Sequence, residues 1–425
     1  MIAWLLISFF VLLFLGVPIA MSPGLSAMGG ILFLGGGSTV TIAQRMFEGM
    51  NSFALLAIPL YTFAGFTMSK GGISKRLMDF CYSIVGHIYG GLAHVNVLSS
   101  MIFAGISGSA VADTAGVSGM FMPEMVRKGY SKNFTVAVTA ISSTIGIIIP
   151  PSIPMVVIAG ICGISTGKLF LGGIIPGVLC GLAQMIVSYF MAKKEGVPKE
   201  PGHFTIGPVL HGLWESWPAL LMPIIIVGTI TMGIVSPTEA GVIAVVYGLF
   251  AGGIIYRELK WEDIKFAFAE TVRTSGRIFI VIGAAKLYTV MLTTAGFDKW
   301  VAKTMLGFST NPTVILIVIL LIFFIVTMFM ESIATLTLFM PILYPIALGV
   351  GINPIVLSVL ITVVIGVGLV TPPVGMCIYV ACDLMDVTVG EVFPTLVPFI
   401  AATFVCIALM VAFPQLILLP TYLMA

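Results

Sequence analysis

The sequence predicts an all-α polytopic membrane protein made of two inverted-topology repeats, each holding a re-entrant helical hairpin and a proline-broken transmembrane helix. Three observations carry that expectation. Of 425 residues, 59% are hydrophobic and 8% charged, whereas soluble domains carry about 25% charged residues. The pairs Pro150-Pro151 and Pro372-Pro373 each interrupt an apolar run long enough to span, a span needing about 20 residues. Landmarks also recur in the same order along the two halves.

The elements follow in chain order. Residues 2–20 form a span, retained because no Lys or Arg precedes Arg45 as a secretory signal would require. Ser22-Pro23-Gly24 turns into a second span at 25–37. Residues 41–50 and the stretch from Ser74 to His87 are amphipathic and lie along the membrane surface. Residues 52–68 cross. Residues 92–126 are apolar but carry small and polar residues, Gly105 to Thr114, between two half-length arms, the pattern of a re-entrant hairpin. The broken helix 134–164 and a span at 170–191 end the first half. The hydrophilic stretch 192–217 joins it to the second. Spans at 218–235 and 241–255 flank a turn at Ser236-Pro237-Thr238-Glu239-Ala240. A surface helix over 257–277, a span at 278–296, a surface stretch at 298–309, a second hairpin at 312–350, a broken helix at 354–383 and a span at 394–418 follow.

Ser22-Pro23 answers to Ser236-Pro237, Leu60-Tyr61-Thr62 to Leu287-Tyr288-Thr289, Asp113 to Glu331, Pro123 to Pro341 and Pro150-Pro151 to Pro372-Pro373. The repeats are therefore 1–191 and 218–425, joined by a cytoplasmic linker at 192–217. Each half makes an odd number of crossings, so the second half runs inverted. That arrangement collects the basic clusters at 127–132, 193–199 and 257–277 on one side, the cytoplasmic one, and puts both termini in the periplasm. Lys299 and Lys303 are the main exceptions. Segments 1–50 and 218–277, as plain spans and surface helices, suit a static scaffold. Segments 92–164 and 312–383 suit a moving transport domain.

A proline pair removes N–H donors and clashes with the preceding turn, freeing carbonyls that hydrocarbon cannot satisfy. Two such breaks in matching halves point to the binding site of a secondary transporter. Unwound carbonyls and hydroxyls suit Na⁺, and half-helix N-termini suit a carboxylate. The candidate Na⁺ ligands are Ser107, Gly108, Ser109, Gly146 and Pro150 in the first half, and Glu331, Ser332, Gly366, Gly368 and Thr371 in the second. The candidate substrate contacts are Ser109, Asp113, Ser152, Thr335 and Thr371, with Arg45 as the alternative carboxylate clamp. Each Ser or Gly could instead serve close helix packing. Asp113 and Glu331 either bind ions or cap helices. Lys286, inside an apolar run, is expected to snorkel.

Other chemistries find little support. The six cysteines lack a C-x-x-C pair and read as small buried hydrophobes. His87, His94, His203 and His211 show no metal-ligand spacing, and Gly35-Gly36-Gly37 follows an apolar helix rather than a strand, against a phosphate loop. The cations are dispersed, so nucleic acid is not an expected partner. An intramembrane enzyme would need a catalytic set, and a channel a repeated filter in an oligomer.

The chain resembles the large membrane subunit of tripartite ATP-independent periplasmic (TRAP) transporters over essentially its whole length. The motifs are Leu56-Ala57-Ile58-Pro59-Leu60, Gly108-Ser109-Ala110-Val111-Ala112-Asp113-Thr114, Ile149-Pro150-Pro151-Ser152, Ser236-Pro237-Thr238-Glu239-Ala240-Gly241 and Val370-Thr371-Pro372-Pro373. The resemblance implies an elevator-type fold in the bacterial inner membrane. It implies Na⁺-driven import of an organic acid, with at least two coupling ions. It also implies a small membrane subunit and a soluble periplasmic substrate-binding protein as partners. The wording is nearer to the sialic-acid branch than to the C4-dicarboxylate one.

Overall fold

The computed structural model describes residues 1–18, 21–35, 38–197 and 205–424. Among them every regular element is helical. In the first half these are α1 (Ile2–Phe14), α2 (Ser22–Leu34), α3 (Thr39–Met50), α4 (Ala57–Lys70), α5 (Ile73–Val85), α6 (Gly91–Ser107), α7 (Ala110–Asp113), α8 (Gly119–Arg127), α9 (Lys132–Ser143), α10 (Ile153–Cys162) and α11 (Thr166–Glu195). The second half adds α12 (Ile206–Thr231), α13 (Pro237–Phe250), α14 (Trp261–Thr294), α15 (Phe297–Phe308), α16 (Pro312–Thr327), α17 (Ser332–Gly349), α18 (Pro354–Gly368), α19 (Met376–Met385), α20 (Val389–Ala412) and α21 (Gln415–Leu418). Seven helices among the described residues are long and apolar enough to cross a membrane.

Local chemistry sets the boundaries. Side chains of Ser131, Ser152, Ser165, Asn311 and Asn353 accept a backbone N–H at the start of α9, α10, α11, α16 and α18, satisfying donors the first turn leaves free. Ser236 and Glu239 close a reciprocal cap on α13, whose first residue is Pro237. The expected turn over 236–240 is thus mostly the start of that helix. Gly16 and Pro18 stop α1 at Phe14, several residues short of the expected span. Within the linker, α11 continues to Glu195 and α12 begins at Ile206, while 198–204 lies outside the described residues. So do Gly36, Gly37 and His203.

The largest departure is α14. The expected surface helix at 257–277 and the span at 278–296 are one helix of 34 residues. Nothing between Trp261 and Thr294 breaks it: there is no proline, and the charges Lys265, Glu270, Arg273 and Arg277 sit in its first half. At 1.5 Å per residue it is about 50 Å long, against about 30 Å of hydrocarbon, so the charged half can reach the interface. In the first half the same stretch of fold is split into α3 and α4 by Asn51, Ser52 and a short 3₁₀ turn.

Packing falls into two groups. α14 packs on α2, α3 and α4, α13 on α4, and α12 on α5; a core of Leu5, Phe9, Ile31, Tyr288 and Met291 ties α1 to this group. In the second group α9 packs on α6, α19 and α20, α11 on α20, and α16 on α18. The two broken helices exchange partners between halves. α10 lies against α17 of the second hairpin, and α19 lies against α9 and the π-helical turn Thr114–Ser118 of the first. The groups meet chiefly along α5–α6 and α14–α17.

Candidate functional site

Both hairpins and both breaks form where the prolines and small residues place them. The first hairpin runs up α6, turns at Gly108 and Ser109, and returns through α7, the π turn and α8. Gly108 has φ +62°, a conformation that costs other residues roughly 1–2 kcal/mol. A Cβ there would lie 2.6 Å from the Pro151 carbonyl oxygen. The first broken helix ends α9 in a 3₁₀ turn (Thr144–Ile147), opens at Pro150-Pro151 and restarts at Ile153. In the second half the chain opens between Thr327 and Ser332 at the hairpin tip and between Gly368 and Met376 at the break. Both proline pairs are cis.

Each tip is tied to its break by the same kind of bond. The Ile153 N–H donates to the Gly108 carbonyl at 3.2 Å, and the Val374 N–H donates to the Met328 carbonyl at 2.9 Å. Ser152 spans its own break: its hydroxyl donates to the Ile147 carbonyl at 2.5 Å and accepts the Met155 N–H at 3.3 Å. Gly368 sits so close to Thr327 that a Cβ would overlap the threonine hydroxyl.

The candidates sort accordingly. Ser107, Gly108, Ser109, Pro150 and Ser152 come together at the first tip and break. Gly146 joins them, the position of its missing Cβ lying 3.5 Å from the Ser109 carbonyl oxygen and 3.6 Å from the Asp113 Cβ. Ser109 caps α7 by accepting the Ala112 N–H at 3.4 Å, and Asp113 lies buried at the end of that turn. The capping alternative holds for Glu331, whose carboxylate accepts the Ile333 and Ala334 N–H groups at 2.9 and 3.2 Å and the Ser332 hydroxyl at 2.6 Å. Thr335 donates to the Glu331 carbonyl and Thr371 to the Val367 carbonyl, so both hydroxyls face their own helix ends. Gly366 belongs elsewhere: it packs on Thr144 of the first break, joining the two halves. Arg45 sits in an exposed 2.8 Å ion pair with Glu48 on α3.

A buried polar network behind the first tip is not anticipated above. The Asn96 amide donates to Thr139 Oγ1 at 2.8 Å and accepts from Ser142 at 3.2 Å, Ser100 donates to Ser142, and Thr114 donates to Ser143 at 2.6 Å. The Cys377 thiol of α19 lies beside Thr114 and Ser143. These bonds join α6, α9 and the π turn into one unit, with α19 packed against it. Polar residues within apolar runs were its only sequence signal. The bridging groups at Met328, Ile153 and Val374 are backbone atoms and leave none.

Oxygen donors at the two tips are hydroxyls, carbonyls and the Glu331 carboxylate, a hard set that suits Na⁺ or another alkali cation rather than a transition metal. Among the described residues no three His, Cys, Asp or Glu side chains gather into a metal-holding group.

Comparison with known proteins decides the lineage. Residues 6–416 match the family described as "Tripartite ATP-independent periplasmic transporter, DctM component". The chain belongs to the TRAP large-permease family. It is 36% identical over 393 residues to the isethionate TRAP transporter permease DctMQ of Oleidesulfovibrio alaskensis, covering 92% of this chain and 62% of that protein. It is 35% identical to the sialic acid TRAP large permease SiaM of Vibrio cholerae, covering 96% and 95%. The C4-dicarboxylate large permease DctM of Pseudomonas aeruginosa is also 35% identical, with 95% and 94% covered. Among solved structures, the YdaH transporter of Alcanivorax borkumensis superposes with TM-score 0.60 at 13% identity, covering 89% of this chain and 90% of that one. That likeness extends the transporter fold to this TRAP permease, a multi-pass membrane protein.

Proposed function

We propose that this TRAP permease imports a small organic anion across the bacterial inner membrane, driven by Na⁺. Its partners would be a small membrane subunit and a periplasmic substrate-binding protein, with both of its own termini periplasmic. The observation that carries this is the pair of tip–break bonds, Ile153 to Gly108 and Val374 to Met328. They hold two unwound segments together in one packed group, in a chain of a transporter family.

Each tip and break would hold one Na⁺ on hydroxyl and carbonyl oxygens. The substrate carboxylate would lie between them, near Ser109, Ser152, Thr335 and Thr371. A bare carboxylate is costly to bury unless paired or hydrogen-bonded. Bound Na⁺ and the half-helix N-termini would supply that compensation. The hairpins and broken helices would then slide as one body against the group built on α14, an elevator movement within the inverted-repeat frame. Relatives named for isethionate, sialic acid and C4-dicarboxylates stand at 35–36% identity. They support the substrate class and leave sialic acid as one member of it.

The test is uptake into proteoliposomes holding both membrane subunits, with binding protein outside. N-acetylneuraminate, succinate and isethionate are offered with and without an inward Na⁺ gradient. We expect accumulation of at least one anion only with Na⁺ and binding protein together. Ion flux without any anion would instead indicate a channel.

A further inference from the structure

A cavity away from the tips carries chemistry that binding at the tips does not use. It holds about 180 Å³ and lies where α3, α10, α14 and α17 meet. That is room for about six waters at roughly 30 Å³ each. Its polar wall is Glu48, Ser52, Lys286, Thr289 and Thr337; the rest is apolar, with Val157, Gly160 and Ile161 contributed by α10. No tip or break residue lines it.

Three features give it a sign and a purpose. Among the described residues Lys286 has no ion-pair or hydrogen-bond partner, although it stands inside a membrane-spanning helix, where an isolated ammonium is costly and marks a functional position. Glu48, the other charge on the wall, is already engaged by Arg45 at 2.8 Å, so the cavity keeps an excess of positive charge. Thr289 is only 5% exposed, and its hydroxyl has no hydrogen-bond partner among the described residues. A buried hydroxyl left in that state is expected to have a partner not yet in place. An ammonium, a free hydroxyl and the Ser52 hydroxyl together match the oxygens of a carboxylate or sulfonate.

We propose that this cavity is a receiving site that takes the carboxylate or sulfonate group of the organic anion on Lys286 before it reaches the tips. The inference rests on the proposed import of organic anions. The site lies on the seam between the two packed groups, since Lys286 and Thr289 belong to α14 while Thr337 belongs to the second hairpin. A sliding movement along that seam would take the cavity apart and release the anion inward. Snorkelling alone would account for the exposed ammonium but not for the free Thr289 hydroxyl beside it.

The test uses thiol labelling of Ser52→Cys in the reconstituted permease with its small subunit, corrected for labelling of the native cysteines. Rates are compared for the anionic 2-sulfonatoethyl and the cationic trimethylammonioethyl methanethiosulfonates, each normalised to its rate with free 2-mercaptoethanol. We expect the anionic reagent to be favoured about tenfold, the low end of electrostatic focusing in a cleft of one sign. Lys286→Gln should abolish the preference and Lys286→Arg should retain it. A cysteine unreactive to both reagents, or a preference unchanged in Lys286→Gln, would overturn the proposal. If Lys286→Gln fails to fold, a normalised ratio at or below one in the Lys286 background overturns it equally. Labelling requires neither Na⁺ nor a transported anion. Uptake without charge preference would therefore remove the receiving site alone, and charge preference without uptake would remove the import reading.

Discussion

At the residue scale, the first tip depends on the one backbone position that glycine alone fills without strain. Gly108→Ala would force a side chain into the left-handed region and against the Pro151 carbonyl. We expect it to destabilise the permease by about 2 kcal/mol, from roughly 1–2 for the conformation plus the contact, read as a lowered thermal midpoint in detergent. A change within error would mean that the tip and break are not held together. Glu331 offers a separate test, because its carboxylate is both a cap and a charge. Glu331→Ala should cost about 1 kcal/mol through the lost cap, while Glu331→Gln keeps an accepting oxygen and near-native stability. If the charge also serves Na⁺, Glu331→Gln should need about tenfold more Na⁺ for half-maximal uptake. An unchanged Na⁺ titration would leave Glu331 as a cap only. Ser107→Ala and Ser109→Ala should likewise weaken Na⁺ activation without reducing membrane insertion, and unchanged activation in both would count against hydroxyl ligation.

At the element scale, what could be read in advance divides by how local the cause is. The breaks at Pro150-Pro151 and Pro372-Pro373 and the tips at Ser107 to Ser109 and Glu331 are legible because proline, glycine and capping chemistry act within one turn. The continuity of α14 is not, since charges on its first half resemble a surface helix and only the lack of a breaker shows otherwise. The cap at Ser109 is not legible either, since a serine in this apolar stretch suits close helix packing equally well. The tip–break bonds are backbone bonds between residues far apart, with no side-chain signature. The seam between α14 and α17 carries the element-scale prediction. Bridging Thr289→Cys and Thr337→Cys with a bifunctional thiol reagent should arrest uptake and leave binding of the small subunit intact. Full uptake by a completely bridged protein would exclude sliding along that seam.

At the scale of the whole molecule, α1 to α5 pack with α12 to α14 in one group and the hairpins and broken helices pack with α11 and α20 in another, and the two halves interlock through α10 on α17 and α19 on α9. Such a body can hold two cations and one anion only if each compensates the others' charge. Coupling of that kind is reciprocal: a factor by which Na⁺ raises anion affinity is also the factor by which the anion raises Na⁺ affinity. The decisive measurement is binding of the transported anion to the purified TRAP membrane complex, titrated against Na⁺, with the converse titration alongside. The account predicts affinity that rises with Na⁺, an equal reciprocal factor, and both effects reduced in Ser109→Ala. Anion affinity independent of Na⁺ but abolished by Arg45→Ala would contradict it.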